Sequence, residues 1–149
     1  TGSLLLVPGT FFVFTWFSRK MAHTKLPTKK LFVDFSYELV PIGLAAWISF
    51  SLPIILVNWA YIFKVLSDPF GWGWNLFGTA GIAWNPIFPE LIPYLQVAVI
   101  TIGLIYSIYY GLNIARQNYV EEKDALRSFI PQLVFLILVS IFFTWLYTG

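Results

Sequence analysis

Long apolar stretches alternate with short polar stretches along this chain. Four of the apolar stretches, at about 2–17, 37–63, 92–115 and 128–147, hold almost no charged residues. A helix needs about 20 apolar residues to cross a bilayer, because each residue advances it by about 1.5 Å. The pattern therefore predicts an all-α, polytopic membrane protein with about four transmembrane helices, in a single integral-membrane domain over residues 1–149.

Proline positions change the expected shape of two of these spans. The second span contains Pro41 and Pro53, and each proline removes one backbone N–H from a helix. This span is also longer than a straight crossing needs, so we expect a tilt or a break near Pro53. Pro131 falls in the first turn of the fourth span, where proline is tolerated.

The composition agrees with a membrane protein and excludes several kinds of site. Charged residues make up 11% of the chain, against roughly 25% in soluble domains. There is no cysteine and a single histidine, His23, so the chain cannot build a disulfide, an iron–sulfur cluster, a thiolate zinc site or the usual haem and copper ligand sets. We expect no cofactor to be bound by this chain alone, with haem, copper or quinone held by partner subunits. The basic residues form one short cluster, which argues against nucleic-acid binding.

The distribution of basic residues predicts the orientation in the membrane. Arginine and lysine are concentrated in loops 18–36 and 116–127, and such loops stay on the cytoplasmic side. Both termini and loop 64–90 are then extracytoplasmic. His23 is expected to be a solvated residue of the first basic loop. Asp34 and Glu38 lie four residues apart beside the second span; they could begin a proton path or bind a cation, but we expect two acids at a helix N-terminus, in contact with water at the interface.

The loop between the second and third spans is rich in glycine and aromatic residues. It is too polar and too often interrupted by glycine and proline to cross a bilayer, so we expect it at the membrane surface, with Trp72, Trp74 and Trp84 at headgroup depth and one or two short helices. Asp68 precedes Pro69 and is expected to cap a turn through its carboxylate. The candidate interfacial residues are Asp68, Phe70, Gly71, Trp72, Gly73, Trp74, Asn75 and Phe77.

Small residues recur at every fourth position of the third span. Gly103, Ser107 and Gly111 thus share one helix face, in the pattern that lets two membrane helices approach closely. Among the polar residues within the spans, four are candidates for a pore or a substrate site, but we expect them to hydrogen-bond to neighbouring helices. These are Asn58, Gln96, Gln132 and Ser140.

The loop stretch Ser67–Ala80 (SDPFGWGWNLFGTA), with Tyr37–Ala45 (YELVPIGLA) before it, resembles a poorly characterised family of bacterial and archaeal multi-spanning membrane proteins. Some of its members carry the label fenitrothion hydrolase-like. The similarity extends over about 34–116 and implies the fold and the membrane location. Family members have two histidines three residues apart where this chain has Trp47 and Phe50, so a metal or haem site formed by those histidines is not implied here.

These observations lead to one functional hypothesis and two alternatives. We expect a non-catalytic integral-membrane subunit of a larger membrane enzyme complex, of respiratory or oxidase type, whose partners are the lipid bilayer and other integral-membrane subunits. In that role Gly103, Ser107 and Gly111 pack against a neighbouring helix, and the aromatic loop either covers an outer site that holds a quinone, copper or haem, or only anchors the subunit in lipid. The alternatives are a hydrolase-like enzyme for an apolar ester, using Asp68 or Glu90, and a component of a small transporter.

Overall fold

The computed structural model describes residues 2–22, 27–119 and 121–149, with side chains from Val7 onward. Its helices are α1 (Gly2–Met21), α2 (Thr28–Ser36), α3 (Leu39–Ser67), α4 (Ile92–Asn118) and α5 (Glu122–Thr148), and a single 3₁₀ turn, Pro89–Leu91, leads into α4. The described residues form no β-strand. The predicted all-α fold is confirmed.

Three stretches of the described chain are long and apolar enough to cross a membrane. They are Thr28–Ser67, which combines α2 and α3, then Pro89–Asn118 and Glu122–Thr148. Most of their side chains point away from the rest of the bundle, since between 22% and 33% of the residues in each apolar window are buried. Apolar helices with such wide exposed faces belong in lipid. The chain is a multi-pass membrane protein.

Helix α4 lies between α3 and α5, and α1 packs on the other side of α5 and on α2. Ser49 of α3 hydrogen-bonds to Gln96, and Ile42 hydrogen-bonds to Ser107, so α3 and α4 run antiparallel. Near the α2 end, apolar side chains from all five helices form the buried core. Its members are Phe11, Leu31, Phe35, Ile42, Ala115, Ala125, Phe129, Phe135 and Leu136.

The small-residue face of α4 is directed at α3 and α5 of the same chain. Gly103, Ser107 and Gly111 are all buried. A Cβ on Gly103 would overlap the Ala45 methyl group and would lie 3.2 Å from the Pro41 carbonyl oxygen. The Ser107 hydroxyl accepts the Ile42 N–H at 3.1 Å, in the first turns of α3. This face is therefore occupied within the chain and is not available to a helix of another subunit.

The expected break near Pro53 is absent, because α3 is continuous from Leu39 to Ser67. Proline at position 53 leaves the Ser49 carbonyl without its usual helical partner, four residues ahead. The side-chain amide of Gln96 donates to that carbonyl at 3.0 Å, and the Ser49 hydroxyl donates to the Gln96 carbonyl at 3.2 Å. A side chain of α4 thus replaces the missing bond and the helix continues.

The helices extend further than the apolar pattern predicted. The first basic segment, 18–36, is largely helical, since α1 continues to Met21 and α2 begins at Thr28. His23 and Lys25 fall within residues 23–26, outside the described residues. The second basic segment, 116–127, is reduced to a short link between Asn118 and Glu122. Its other residues continue α4 and α5, because a helix whose apolar part is packed can extend through charged residues. Of the short helices expected in loop 64–90, only the turn Pro89–Leu91 forms.

Candidate functional site: a protruding aromatic loop and a buried carboxyl

Helix α3 is longer than the bundle that it belongs to. Gln96 is four residues from the start of α4 and faces Ser49, so the α3 residues from 54 to 67 extend past that start by about 20 Å at 1.5 Å per residue. The end of α5 and the start of α4 lie at the same level. Phe129 faces Gly111, and Thr148 at the end of α5 is as many residues from Phe129 as Ile92 at the start of α4 is from Gly111. The last turns of α3 therefore stand beyond the other helices.

The loop 68–88 folds back along these last turns of α3. The Trp59 indole N–H donates to the Asn85 carbonyl at 2.6 Å, and the Trp84 indole N–H donates to the Val57 carbonyl at 3.1 Å. The Ile87 N–H donates to the Leu56 carbonyl at 3.0 Å. We call residues 54–91, the end of α3 with this loop, the outer module. Lipid-exposed irregular backbone does not occur in the hydrocarbon region, and most residues of this loop are exposed. The irregular loop 68–88 is therefore expected outside the hydrocarbon, whereas the α3 residues 54–67 are helical and belong to a stretch that is apolar enough to cross a membrane.

Asp68 shapes the tip of the outer module. Its two carboxylate oxygens accept the backbone N–H groups of Trp72 at 2.9 Å and Gly73 at 2.7 Å. The expectation that Asp68 caps a turn is confirmed. Gly71 and Gly73 have φ angles of 69° and 79°, which side-chain-bearing residues rarely adopt. With both oxygens bound to backbone amides, Asp68 acts as a structural group of the loop.

A second polar contact closes the base of the loop. The Ser67 hydroxyl donates to Asn75 Oδ1 at 3.1 Å and accepts the Phe77 N–H at 3.2 Å. Asn75 Oδ1 also accepts the Ala80 N–H at 3.1 Å. Two side chains thus replace the backbone pairs that a regular element would provide, and the loop keeps a defined conformation without a helix or a strand.

This framework holds three aromatic rings together at the end of α3. The Phe70 and Trp72 rings stack with centroids 5.0 Å apart, and Trp74 meets both rings edge-on, with its centroid 5.0 Å from Trp72 and 6.0 Å from Phe70. The Phe70 and Trp72 side chains are 65% and 68% exposed. Such edge-on and stacked pairs are favourable, but together they leave an apolar surface uncovered. We call Phe70, Trp72 and Trp74 the ring cluster.

Glu90 lies at the opposite end of the outer module from the ring cluster. It is exposed and lines a pocket with Trp59 and with residues 85–91. No hydrogen bond or ion pair engages its carboxylate within the described chain. Its environment is open, unlike that of Glu38.

Glu38 is the one acidic side chain that is fully buried among the described residues. It lies between α2 and α3 and contacts α4 and α5, where a Cβ on Gly111 would overlap both its carboxylate and the Phe129 ring. Neither carboxylate oxygen has a hydrogen-bond partner in the described part of the chain. The expectation of a water-exposed acid at a helix N-terminus is wrong for Glu38, because its turn directs it into the bundle. Asp34, one turn earlier, is partly exposed.

The contact between α1 and α5 is also polar, but it is uncharged. Ser18 donates to the Ser128 carbonyl and lies 2.8 Å from the Ser128 hydroxyl, which itself donates to the Tyr119 hydroxyl at 3.0 Å. Gln132 donates to the Thr15 hydroxyl at 3.2 Å. We call these residues the hydroxyl seam. The seam gives Gln132 the interhelical role expected of it, as Gln96 has between α3 and α4.

Asn58 and Ser140, the other two of the four polar candidates, have no such contact within the described residues. Asn58 is exposed on the side of α3 opposite to the buried Ala60, and Ser140 is buried in α5. Trp47 and Phe50, where the resembling family has histidines, are exposed on α3 with ring centroids 6.3 Å apart. Between residues 27 and 119, and in the other described segments, no three metal-ligating side chains come together.

Comparison of the chain with known protein families, with curated proteins and with solved structures finds no match. The resemblance carried by Ser67–Ala80 and Tyr37–Ala45 therefore stays a prediction. The two unusual features of the described chain are the ring cluster and the Glu38 carboxyl.

Proposed function

We propose that the chain is an accessory integral-membrane subunit of a larger membrane enzyme complex, and that the ring cluster is its contact with an extramembrane part of that complex. The observation that carries this proposal is the position of the exposed rings at the end of α3, about 20 Å beyond the start of α4 at 1.5 Å per residue. A respiratory or oxidase-type complex, holding haem, copper or quinone in its other subunits, is the first case to test.

The height of the ring cluster favours a protein partner over lipid. The polar headgroups add about 5–8 Å to each side of a hydrocarbon core of about 30 Å. If α4 enters the core near Ile92, the Trp72 and Gly73 backbone, which is bound to Asp68 at the end of α3, stands above this layer. Exposed aromatic rings in water mark a binding surface, and rings of this type dominate the energy of protein interfaces.

The rigidity of the loop supports the same proposal. The contacts of Asp68, Ser67 and Asn75 fix the backbone on which the rings stand. A surface held in its bound conformation loses little conformational entropy on association. A lipid anchor has no need of such order, because lipid adapts to any arrangement of rings.

The orientation forms part of the proposal. The arginine and lysine residues of 18–36 and 116–127 favour the cytoplasm for those segments. The outer module is then on the extracytoplasmic side, and the partner surface is sought there.

Replacement of one ring tests the proposal. The chain is isolated from its native membranes in a mild detergent, as wild type, as Trp72→Ala and as Trp145→Ala. Trp145 is a matched control, because its side chain is 68% exposed, as is that of Trp72, but lies near the end of α5. We expect stoichiometric partner proteins with the wild type and the control, and a loss of at least about tenfold with Trp72→Ala, as for a ring at the centre of an interface.

The absorption spectrum and copper content of the isolated material test the respiratory part of the proposal. Haem or copper that co-migrates with the partner proteins supports it. A wild-type chain that migrates alone contradicts the proposal, and equal partner yields for the two variants remove the ring cluster from the interface.

Two alternatives have a specific residue each. The transporter alternative gains from the buried Glu38, because ionisable groups enclosed in membrane proteins often belong to ion pathways, and it predicts transport by the purified chain in liposomes. For the hydrolase alternative, Glu90 is the remaining catalytic candidate, because both carboxylate oxygens of Asp68 accept backbone N–H groups. It predicts ester hydrolysis by the purified chain that is lost in Glu90→Gln.

A further inference from the structure

The Glu38 carboxyl occupies a niche that other helices form for it. It lies at the start of α3, and the niche is closed by Gly111 of α4 and the Phe129 ring of α5. A side chain of any size at position 111 would fill the space that the carboxylate takes. The missing Cβ of Gly111 is thus what allows an acid to be enclosed here.

Among the described residues, the enclosed carboxyl has no partner that could stabilise a negative charge. Its exposure is 0%, and neither oxygen accepts a hydrogen bond in the described part of the chain. An ionised carboxylate without water or a partner is strongly disfavoured, so such a group takes up a proton instead. Its neighbours are a glycine and an aromatic ring, which suit the neutral acid.

Charged groups on the surrounding elements do not change this balance. On α4, Arg116 is exposed and pairs with Glu122 of α5 at 3.5 Å. On α1, Arg19 donates to the Thr28 hydroxyl at 2.9 Å. The other titratable groups that the structure describes near this end are exposed or partly exposed, and none of them hydrogen-bonds to the Glu38 carboxylate: Lys20, Lys29, Lys30, Asp34, Tyr37, Tyr110, Tyr119, Glu121, Lys123, Asp124 and Arg127.

We propose that Glu38 is a proton-binding site whose occupancy is coupled to the contact between α3 and α4. With its proton the carboxyl remains in the niche beside Gly111. When the proton leaves to the aqueous phase at the α2 end, the carboxylate requires water, and the start of α3 separates from α4. Asp34, one turn towards that phase, is the nearest acid along the chain. The proposal does not depend on the partner subunit, because every element of the niche belongs to this chain.

The main-chain bond above the niche gives this coupling a structural basis. The Ile42 N–H donates to the Ser107 hydroxyl at 3.1 Å, one turn along both helices from Glu38 and Gly111. When α3 separates from α4 at the niche, the hydrogen bond between Ile42 and Ser107 loses the packed residues next to it. Exchange of the backbone amides in the first turns of α3 therefore reports on the state of the carboxyl.

Infrared spectroscopy of the isolated chain in lipid reads the proton directly. Glutamate labelled with ¹³C separates the glutamate bands from those of aspartate, and Glu38→Gln identifies the band of this residue. We expect the C=O stretch of a protonated acid at neutral pH in the wild type, lost in Glu38→Gln. If the difference between wild type and Glu38→Gln contains only carboxylate bands, the proposal is wrong.

A pair of glycine variants tests the niche. Gly111→Ala places a methyl group against the carboxylate, whereas Gly43→Ala, on the exposed side of α3, meets nothing within 4 Å. We expect the Glu38 C=O band to shift or disappear in Gly111→Ala and to stay unchanged in Gly43→Ala. An unchanged band in both variants would place the carboxyl elsewhere and overturn the proposal.

Hydrogen–deuterium exchange tests the coupling. The exchange of α3 peptides is normalised to that of α5 peptides at each pH, which removes the intrinsic pH dependence. We expect the first turns of α3 to lose protection at alkaline pH by at least about tenfold in the wild type and not in Glu38→Gln. The same pH dependence in both proteins would separate the proton from the helix contact and contradict the proposal.

Discussion

The α3–α4 contact and the α1–α5 contact are both built from buried polar residues, but they differ in kind. In the hydroxyl seam, Ser18 and Thr15 of α1 hydrogen-bond to Ser128 and Gln132 of α5, and no charged group takes part. Between α3 and α4, small residues bring the backbones together, and the same contact encloses the Glu38 carboxyl. Neutral groups that satisfy each other fix a structure. In the proposal above, an enclosed acid without a partner among the described residues provides a state that can change.

The two contacts also differ in how closely the backbones approach. Gly103 and Gly111 leave no room for a Cβ, whereas the hydroxyl seam joins α1 and α5 through side chains on both helices. A substitution that adds volume is therefore expected to damage the α3–α4 contact far more than one that removes a hydroxyl damages the seam.

The largest effect is expected from added volume at Gly103. Gly103→Leu drives a side chain into Ala45 and the backbone of α3, and such overpacking costs about 3 kcal/mol or more of unfolding free energy. Gly43→Leu is the matched control, because its surroundings are open; it should not lower stability, since leucine favours a helix over glycine by about 0.5–1 kcal/mol. Reversible unfolding in mixed micelles measures both. Equal stabilities for the two variants would mean that the close approach at Gly103 is not required.

A smaller effect is expected when the bond that replaces the missing Pro53 N–H is removed. Gln96→Leu leaves the Ser49 carbonyl without its donor, at an expected cost of about 1–2 kcal/mol. Pro53→Ala restores the main-chain N–H, so Gln96→Leu should cost less in that background. The double-mutant cycle of the two substitutions measures this difference. Strict additivity would show that Gln96 acts independently of the proline.

The smallest effect is expected in the hydroxyl seam, at Tyr119. Burial raises the pKa of the Tyr119 hydroxyl above its ordinary value of 10.0, while the hydrogen bond from Ser128 lowers it and the charge of Asp124 adds to the rise. The folded state then holds this proton more tightly than the unfolded state does. The resulting stability is present below pH 10 and is lost as the pH rises through the higher folded pKa.

Thermal unfolding of the wild type and Tyr119→Phe measures this effect over a range from about pH 8 to pH 11. We expect the stability advantage of the wild type, below about 1 kcal/mol, to shrink as the pH rises. A pH-independent difference would assign the Tyr119 contribution to packing alone. With this result the seam would still be structural, and the contrast with Glu38 would become sharper.

Local patterns in the sequence were enough to predict the helices and some of the contacts. The apolar stretches predicted an all-α membrane protein, and Asp68 before Pro69 predicted the turn that its carboxylate caps. The spacing of Gly103, Ser107 and Gly111 identified one face of α4, because a fourfold repeat of small residues has the period of a helix. Each of these signals lies within one short segment.

The features that were missed depend on residues far apart in the chain. The sequence around Glu38 predicts a solvated acid, and only the contact with Gly111 and Phe129 shows that it is enclosed. Pro53 alone predicts a break in the helix, and this prediction is wrong because Gln96 donates to the Ser49 carbonyl. The outer module requires Trp59 and Trp84 to bond across the fold, for which no local pattern exists. Such contacts are decided by tertiary packing.

The unequal lengths of the helices have a consequence for the lipid around the protein. Helices α4 and α5 begin and end at matching levels, whereas the longer α3 extends beyond them. Hydrophobic thickness differs by a few ångströms between membranes and sorts proteins among them. If the upper turns of α3 stand outside the acyl chains, as proposed above, an estimate of the preferred membrane from the longest apolar helix would select one that is too thick.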